Sequence, residues 1–269
     1  MSEKIRWGLL STARINNALI PGILASKHSQ LVAVGSRRLE QAQKYALERN
    51  IPRAHGSYED LLTDPQVDVI YNSLPNHLHA EWTIKALKAG KHVLVEKPIA
   101  LSVEDVQAIS EAARISGKIC AEAFMYRHHP QTLKVQELIA GGAIGEVKFV
   151  QGSFTFVLDN PGDIRSVPEF GGGSIWDIGC YPLSYSRMVA GSRPAAVHGF
   201  QVDSPTGTDL TFSGQIEYPN GILANIYSSF GIPFYTYMEI RGTQGRLSIL
   251  APFKPLDANV PLILVQGDE

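Results

Sequence analysis

Lys97 closes the segment His92-Val93-Leu94-Val95-Glu96-Lys97-Pro98, where an apolar run precedes a charged pair and a proline. Val93-Leu94-Val95 reads as a short buried strand. Pro98 ends it, having no N–H to give to a ladder, and the Lys97–Pro98 bond is of the kind that can be cis. Residues that follow an apolar parallel strand enter the crevice at its carboxyl end, where open α/β sheets bind ligands. A lysine there is costly without a partner or a task. It is either half of a structural Glu96–Lys97 ion pair or a working group. A second stretch, Gly171-Gly172-Gly173-Ser174-Ile175-Trp176-Asp177-Ile178-Gly179-Cys180-Tyr181-Pro182, weighs on that choice. Asp177 and Tyr181 share a face if a helix starts there, although a capping aspartate and a packed tyrosine would look the same. A tyrosine with pKa near ~10 is a poor base at neutral pH, and a nearby ammonium lowers that pKa by stabilising the phenolate. Lys97 and Tyr181 on two facing domains could thus take the hydroxyl proton of an alcohol that gives up a hydride. Asp177 would keep the lysine charged or orient a substrate hydroxyl, and a nicotinamide would carry the redox step.

The elements that must position these residues follow a strand–helix rhythm. Ile5 to Leu10 is an apolar strand and Ala18 to Ala25 has helical spacing. Between them a dinucleotide fold would place a G-x-G-x-x-G turn, whose three glycine positions here read Ser11, Ala13 and Asn16. The motif is degraded, yet its small residues still let a phosphate approach backbone N–H groups at a helix start, which makes Ser11, Thr12, Ala13, Arg14 and Ile15 the candidates there. A second strand, Gln30 to Gly35, ends at Ser36-Arg37-Arg38. NAD-binding units usually have an acid at this point for the ribose 2′-hydroxyl. A hydroxyl and two guanidinium groups suit a 2′-phosphate instead, so NADP is favoured over NAD. Ser57 to Leu62 reads as a short helix capped by its serine, and Val67 to Asn72 as the next strand. That strand runs into Leu74-Pro75-Asn76-His77-Leu78-His79, which opens a helix from Glu81 to Lys88. Asn76 there is read as a helix cap or a cofactor contact, and His77 and His79, at i and i+2, do not share a helix face as a zinc pair would. A helix from Val103 to Ser116, capped by Ser102 and stopped by Gly117, and a strand from Ile119 to Glu122 complete a doubly wound, Rossmann-like parallel sheet over residues 1–124.

Past Pro130 the pattern changes. After a helix from Gln131 to Ile139, strands are expected over Val147–Phe156, Ala195–Val202, Asp209–Tyr218, Ile222–Phe230, Tyr235–Arg241 and Arg246–Leu250. Hairpin turns at Tyr218-Pro219-Asn220-Gly221 and Gly242-Thr243-Gln244-Gly245 make residues 125–269 an α+β domain on a mostly antiparallel open sheet. One sheet face would cover helices. The other is expected to bury itself in a homodimer or homotetramer.

Composition narrows the classes further. The 269 residues are 44% hydrophobic and 19% charged with a formal net charge of -2, so neither a nucleic-acid nor a membrane surface is expected. No signal-like apolar stretch opens the sequence, and two cysteines, Cys120 and Cys180, too far apart for a metal or redox spacing, fit a reducing cytoplasm.

Five stretches together carry a family resemblance: Trp7-Gly-Leu-Leu-Ser-Thr-Ala-Arg-Ile, Leu74-Pro-Asn-His-Leu-His-Ala-Glu, Gly90-Lys-His-Val-Leu-Val-Glu-Lys-Pro, Tyr126-Arg-His-His-Pro and the glycine-led run from Gly171 to Pro182. The chain resembles the Gfo/Idh/MocA oxidoreductases, in the branch of glucose–fructose oxidoreductase, D-xylose dehydrogenase and dimeric dihydrodiol dehydrogenase. The resemblance implies that Lys97 is catalytic and that Tyr181 is the acid/base, in the place many relatives fill with histidine. It implies Leu74, Pro75, Asn76, His79, Glu96 and Lys97 around the cofactor, with Asn76, Glu96 and Lys97 flanking the nicotinamide ribose. Arg127, His129, Asp163 and Arg165 become candidates for the sugar side. The expected activity is NADP-dependent oxidation or reduction of a sugar, polyol or related secondary alcohol. The alternatives are an NAD-dependent glycoside hydrolase of the same family and a non-catalytic dinucleotide sensor. Relatives are also expected to continue past Arg246–Leu250 into a helix packed on the first domain. This chain ends at Gln266-Gly267-Asp268-Glu269, so either the sequence is a fragment or the C-terminal packing differs.

Overall fold

The computed structural model describes residues 4–160, 162–255 and 260–267. The backbone divides into two compact units, Met1–Ala123 and Phe124–Glu269. The first alternates strand and helix: β1 (Ile5–Leu10), α1 (Asn16–Ala25), β2 (Ser29–Gly35), α2 (Leu39–Glu48), β3 (Arg53–His55), α3 (Tyr58–Thr63), β4 (Val69–Asn72), α4 (His79–Lys88), β5 (His92–Val95), α5 (Val103–Ser116) and β6 (Cys120–Glu122). The strands pair in parallel in the order β3-β2-β1-β4-β5-β6, the Rossmann order, which reverses direction beside β1 and opens a ligand crevice there.

Side chains alternate across the sheet, so each strand feeds two cores. Leu9, Val34 and Tyr71 pack with Ile20, Ile23 and Tyr45 of α1 and α2. Their neighbours Leu10, Ala33 and Ile70 pack with Leu61, Trp82 and Ile109 on the opposite face. Helix starts follow local chemistry: the Ser57 and Ser102 hydroxyls accept the N–H groups of Asp60 and Asp105, a cap worth about 1 kcal/mol. Gly117 ends α5 at φ 65°, a left-handed conformation that glycine takes without a Cβ penalty. Three expectations shift here. α1 starts at Asn16 rather than Ala18. β3, three residues long, was too short for any periodicity to announce it. Asn76 does not take the cap position: it is the first residue of a 3₁₀ turn, Asn76–Leu78, which runs directly into α4, where Leu78 stands at the cap.

The second unit holds α6 (Pro130–Ala140), β7 (Val147–Thr155), α7 (Cys180–Ala190), β8 (Ala196–Asp203), β9 (Asp209–Glu217), β10 (Leu223–Ser229), β11 (Tyr235–Gly242), β12 (Gly245–Ile249) and β13 (Leu262–Gln266). Its strand order is β13-β12-β11-β7-β10-β9-β8, antiparallel except for the β10–β7 pair. Register sorts the faces. Val150, Phe154, Ala224, Ile226, Met238 and Ile240 point at Tyr181 and Tyr185 of α7 in one core. The alternate residues Gln151, Ser153, Asn225, Tyr227, Tyr237 and Glu239 line the other face. β13 was not anticipated; it extends the sheet beyond β12 at Leu262–Gln266. Among the described residues no helix is long and apolar enough to cross a membrane.

Candidate active site

The β1–α1 turn keeps a glycine-type backbone without glycine. Ser11, buried at the end of β1, has φ 147°. A non-glycine residue held there costs about 1–3 kcal/mol and needs outside support. A ring of hydrogen bonds supplies it. The Ala13 N–H donates to Ser11 Oγ (3.1 Å), Ser11 and Ser73 share a hydroxyl bond (2.8 Å), Ser73 Oγ donates to Asn16 Oδ1 (2.7 Å), and Asn16 Nδ2 donates back to the Ser11 carbonyl (2.9 Å). Ser73 belongs to this turn although nothing at sequence level singled it out. Beyond it α1 starts at Asn16, with Ile15 at the cap position giving no side-chain bond and no acid in the first turn, so its positive end is not neutralised locally. Thr12 and Ala13 are half-buried and Arg14 and Ile15 exposed around that end. Such a turn fits a dinucleotide pyrophosphate.

The loop after β2 is tied to the same turn. Ser36 is buried; its Oγ donates to Gln41 Oε1 (3.2 Å), and Gln41 Nε2 donates to Thr12 Oγ1 (2.9 Å). Arg37 and Arg38 are exposed, and Arg38 precedes α2 in extended conformation. Burial raises the pKa of the Tyr58 phenol, against the pull of the Arg37 guanidinium hydrogen-bonded to it. Among the described residues no acid takes the place after β2 that would bind a ribose 2′-hydroxyl; the positions there read Ser36, Arg37 and Arg38.

Lys97 lies half-buried on a loop pinned at each neighbour. The Lys97–Pro98 bond is cis. Before it, the Glu96 N–H donates to the Asn72 carbonyl (2.9 Å) and the Glu96 carboxylate accepts from the Tyr71 hydroxyl. After it, the Ile99 N–H donates to Glu122 Oε1 (2.8 Å). His79, 1% exposed, faces the Pro98 carbonyl with Nδ1 and the Leu74 carbonyl with Nε2, each at 2.7 Å. Burial pushes the His79 pKa below the ordinary imidazole value, while the two carbonyls pull it upward. Asn72, fully buried, donates to the His79 carbonyl and Thr83 Oγ1 (both 3.1 Å) and accepts the Leu74 N–H (3.3 Å). Leu74, Pro75, Asn76, Glu96 and Lys97 thus all follow the carboxyl ends of the adjacent parallel strands β4 and β5. His79 is the brace behind them, enclosed between the two carbonyls. Tyr71, Ser73 and Glu122 do structural work here that only the strand-end positions hinted at.

In the second unit a loop and a helix start gather the other candidates. Ile175–Gly179 forms a single π turn that continues into α7. Asp177, on the π turn, accepts from Arg165 Nε (2.7 Å), and Arg165 Nη1 donates to Asp163 Oδ1 (3.1 Å). Burial works against the Arg165 charge, and the Asp177 and Asp163 carboxylates overcome it, lifting its pKa above the ordinary arginine value. Tyr181 is 4% exposed among Phe124, Tyr126, Phe154 and Phe253, its hydroxyl 3.7 Å from Met125 Sδ. Asp163, Arg165 and Asp177 therefore come together. Arg127 is exposed on the turn Met125–His128, while His129 caps α6, its Nδ1 accepting the Gln131 N–H (3.1 Å). A ring nitrogen used as a cap acceptor leaves only Nε2 to meet a ligand.

Residues 5–124 match the family model described as oxidoreductase family, NAD-binding Rossmann fold, and residues 132–248 match the GFO/IDH/MocA C-terminal domain. The chain is 41% identical to D-xylose 1-dehydrogenase (NADP(+)) 2 of Haloferax volcanii, over 90% of this chain and 74% of that protein. It is 36% identical to trans-1,2-dihydrobenzene-1,2-diol dehydrogenase of Xenopus laevis, over 91% of this chain and 74% of that one. Among solved structures, a 3-ketoreductase from Actinomadura kijaniata in complex with NADP and TDP-benzene superposes with a TM-score of 0.86 at 28% identity, covering 98% of this chain and 85% of its own. An aldose-aldose oxidoreductase from Caulobacter crescentus complexed with glycerol gives a TM-score of 0.88 at 26% identity, covering 99% and 84%. The parallel sheet with its rebuilt phosphate turn, the pinned lysine loop and these matches over both units converge: the chain belongs to the Gfo/Idh/MocA family and is an NAD(P)-dependent oxidoreductase.

Proposed function

We propose that the protein transfers a hydride between NADP and a sugar, polyol or related secondary alcohol, with Lys97 and Tyr181 as the catalytic pair. The observation that carries this reading is the fixed Lys97 loop, braced by Tyr71, His79 and Glu122 at a strand end of a dinucleotide-type crevice. A surface ion pair would need no such fixing. A hydride donor or acceptor must be aligned to a fraction of an ångström, and fixing is what that task requires. The relatives named for NADP, xylose and dihydrodiol support the cofactor and substrate class.

When bound, the nicotinamide supplies the hydride chemistry. Ser11 to Ile15 and the α1 start hold the pyrophosphate, and Ser36, Arg37 and Arg38 receive the 2′-phosphate. Leu74, Pro75 and His79 lie around the cofactor, and Asn76, Glu96 and Lys97 flank the nicotinamide ribose. Tyr181 Oη takes or returns the alcohol proton, and the Lys97 ammonium lowers the cost of the phenolate. Asp177, aligned by Arg165, orients a substrate hydroxyl, with Asp163 and Arg127 beside it and His129 offering Nε2. Protomers associate through the open sheet face, where Phe200 and Val202 on β8 and Tyr235 on β11 stand exposed.

The test is an NADP-reduction screen over aldoses, polyols and aryl diols, followed by Lys97→Met. Turnover should fall roughly 10³-fold with NADP binding kept. Unchanged turnover would remove the catalytic pair. A monomer in sedimentation at micromolar concentration would remove the assembly.

A further inference from the structure

Asp209 opens β9, far from Asp177 in sequence, yet it is the residue on which the Asp177 turn rests. Only 6% exposed, it accepts the Ser174 hydroxyl (2.6 Å) and the Ile175 N–H (2.9 Å) on Oδ2. Ser174, fully buried, also shares a hydroxyl bond with Ser228 of β10 (2.9 Å). Asp209 Oδ1 fills the space where residue 173 would carry a side chain: a Cβ at Gly173 would come within 2.1 Å of it, and Gly173 has φ 115°. Gly173 in turn ties together both halves of the Arg165–Asp177 ion pair. Its N–H donates to the Arg165 carbonyl (2.9 Å), and its carbonyl accepts the Asp177 N–H (3.2 Å).

We infer that Asp209 is a positioning residue for the reaction: through Gly173, Ser174 and Ile175 it sets the backbone from which Arg165 and Asp177 meet and α7 departs with Tyr181. A buried carboxylate is costly unless hydrogen-bonded, and here the Ser174 hydroxyl and the Ile175 N–H of this turn donate to it. Burial does raise the Asp209 pKa, and the Ser174 and Ile175 donors oppose that rise, so the carboxylate is kept where only donors make it tolerable. π turns are rare and occur mostly as single turns within α-helices, and this one is held from outside the helix. Asp209 supplies that hold from the neighbouring sheet. The inference rests on the dehydrogenase reading for its kinetic consequence but not for its structural one.

The test uses Asp209→Asn and Asp209→Ala in the full chain. Asn keeps an acceptor oxygen for Ser174 and Ile175, and Ala keeps none. Asp209→Ala should lower kcat roughly 10²-fold at a temperature where the protein is fully folded, with the Kd for NADP unchanged within about two-fold. Asp209→Asn should recover most of the loss. Trp176, 37% exposed on the π turn, reports the turn directly. Its emission, isolated by subtracting a Trp176→Phe background, should shift to the red in Asp209→Ala and not in Asp209→Asn. A purely architectural role would lower the melting temperature and leave kcat and Trp176 emission untouched, and that result overturns the inference. Should Asp209→Ala fail to fold, Ser174→Ala decides: it removes one of the two bonds and should cost kcat several-fold, and an unchanged kcat counts against the inference. If the wild type oxidises no alcohol in the screen, the dehydrogenase reading falls, and Trp176 emission alone still judges Asp209.

Discussion

The Nδ1 atom of His79 lies 2.7 Å from the carbonyl oxygen of Pro98, across 19 positions of sequence, while Nε2 of the same ring lies 2.7 Å from the Leu74 carbonyl. One imidazole therefore spans the loops that leave β4 and β5. A charged ring serves both carbonyls and a neutral one donates to a single carbonyl. His79→Leu leaves both acceptors buried without a donor, at about 1–3 kcal/mol for each. The expected outcome is a loss of about 2–4 kcal/mol in urea unfolding, with turnover reduced more than NADP binding, because the displaced loop carries Lys97. Stability within error of the wild type would show that the ring braces nothing.

The strand-end arginines make a prediction about discrimination rather than overall affinity. Arg37→Ala/Arg38→Ala should weaken 2′,5′-ADP or NADP binding about 10- to 100-fold, as expected for charge-assisted bonds worth roughly 1.5–3 kcal/mol. NAD binding, measured by the same calorimetric titration, should stay within about two-fold. Equal losses for both nucleotides would place the phosphate elsewhere.

At the opposite end of the first sheet, Arg6 holds Asp68 through Nε (2.9 Å) and Nη2 (2.7 Å). The Arg6 hydrogen bonds, outweighing burial, depress the Asp68 pKa below its ordinary 3.8. A carboxylate depressed in the folded state adds stability above its unfolded pKa and loses it as pH falls through the folded value. Asp68→Asn should thus lower the melting temperature at pH 7 by a few degrees at most, since the pair is partly exposed and screened. Once the pH has fallen below the depressed folded-state pKa, so that the wild-type group is also protonated, the two proteins should melt together. A gap that persisted unchanged into acid would rule out this linkage.

Local signals carried much of the architecture. Serine caps, the Gly117 stop, the hairpin turns and the apolar strands act within a few residues, and each lies within a residue or two of its expected place. What stayed hidden was set at a distance. Ser73 and Asn16 rebuild the phosphate turn from 57 positions apart, and Ser174 reaches Asp209 across 35. No periodicity registers such pairings. Asn76 looked like a cap because Asn often is one, but the chain entered α4 through a 3₁₀ turn, which spends its own backbone groups on that join. His129 also serves as a cap, which its sequence position did not announce: with a proline at the first position of α6, the histidine ring accepts the N–H of the next residue, Gln131.

The place of β7 in its sheet bears on how the chain is made. Its neighbours are β10 and β11, and the β10 pairing is the sheet's sole parallel one among the described strands. Roughly 70 residues must leave the ribosome after Thr155 before either partner exists, which at about 5–20 residues per second is several seconds of waiting. Through that interval an apolar strand carrying Val150 and Phe154 has both edges open. The sheet's central strand is therefore its earliest to be synthesised and among its later ones to be enclosed, and nascent chains stalled in this window are the ones most exposed to aggregation and to capture by chaperones.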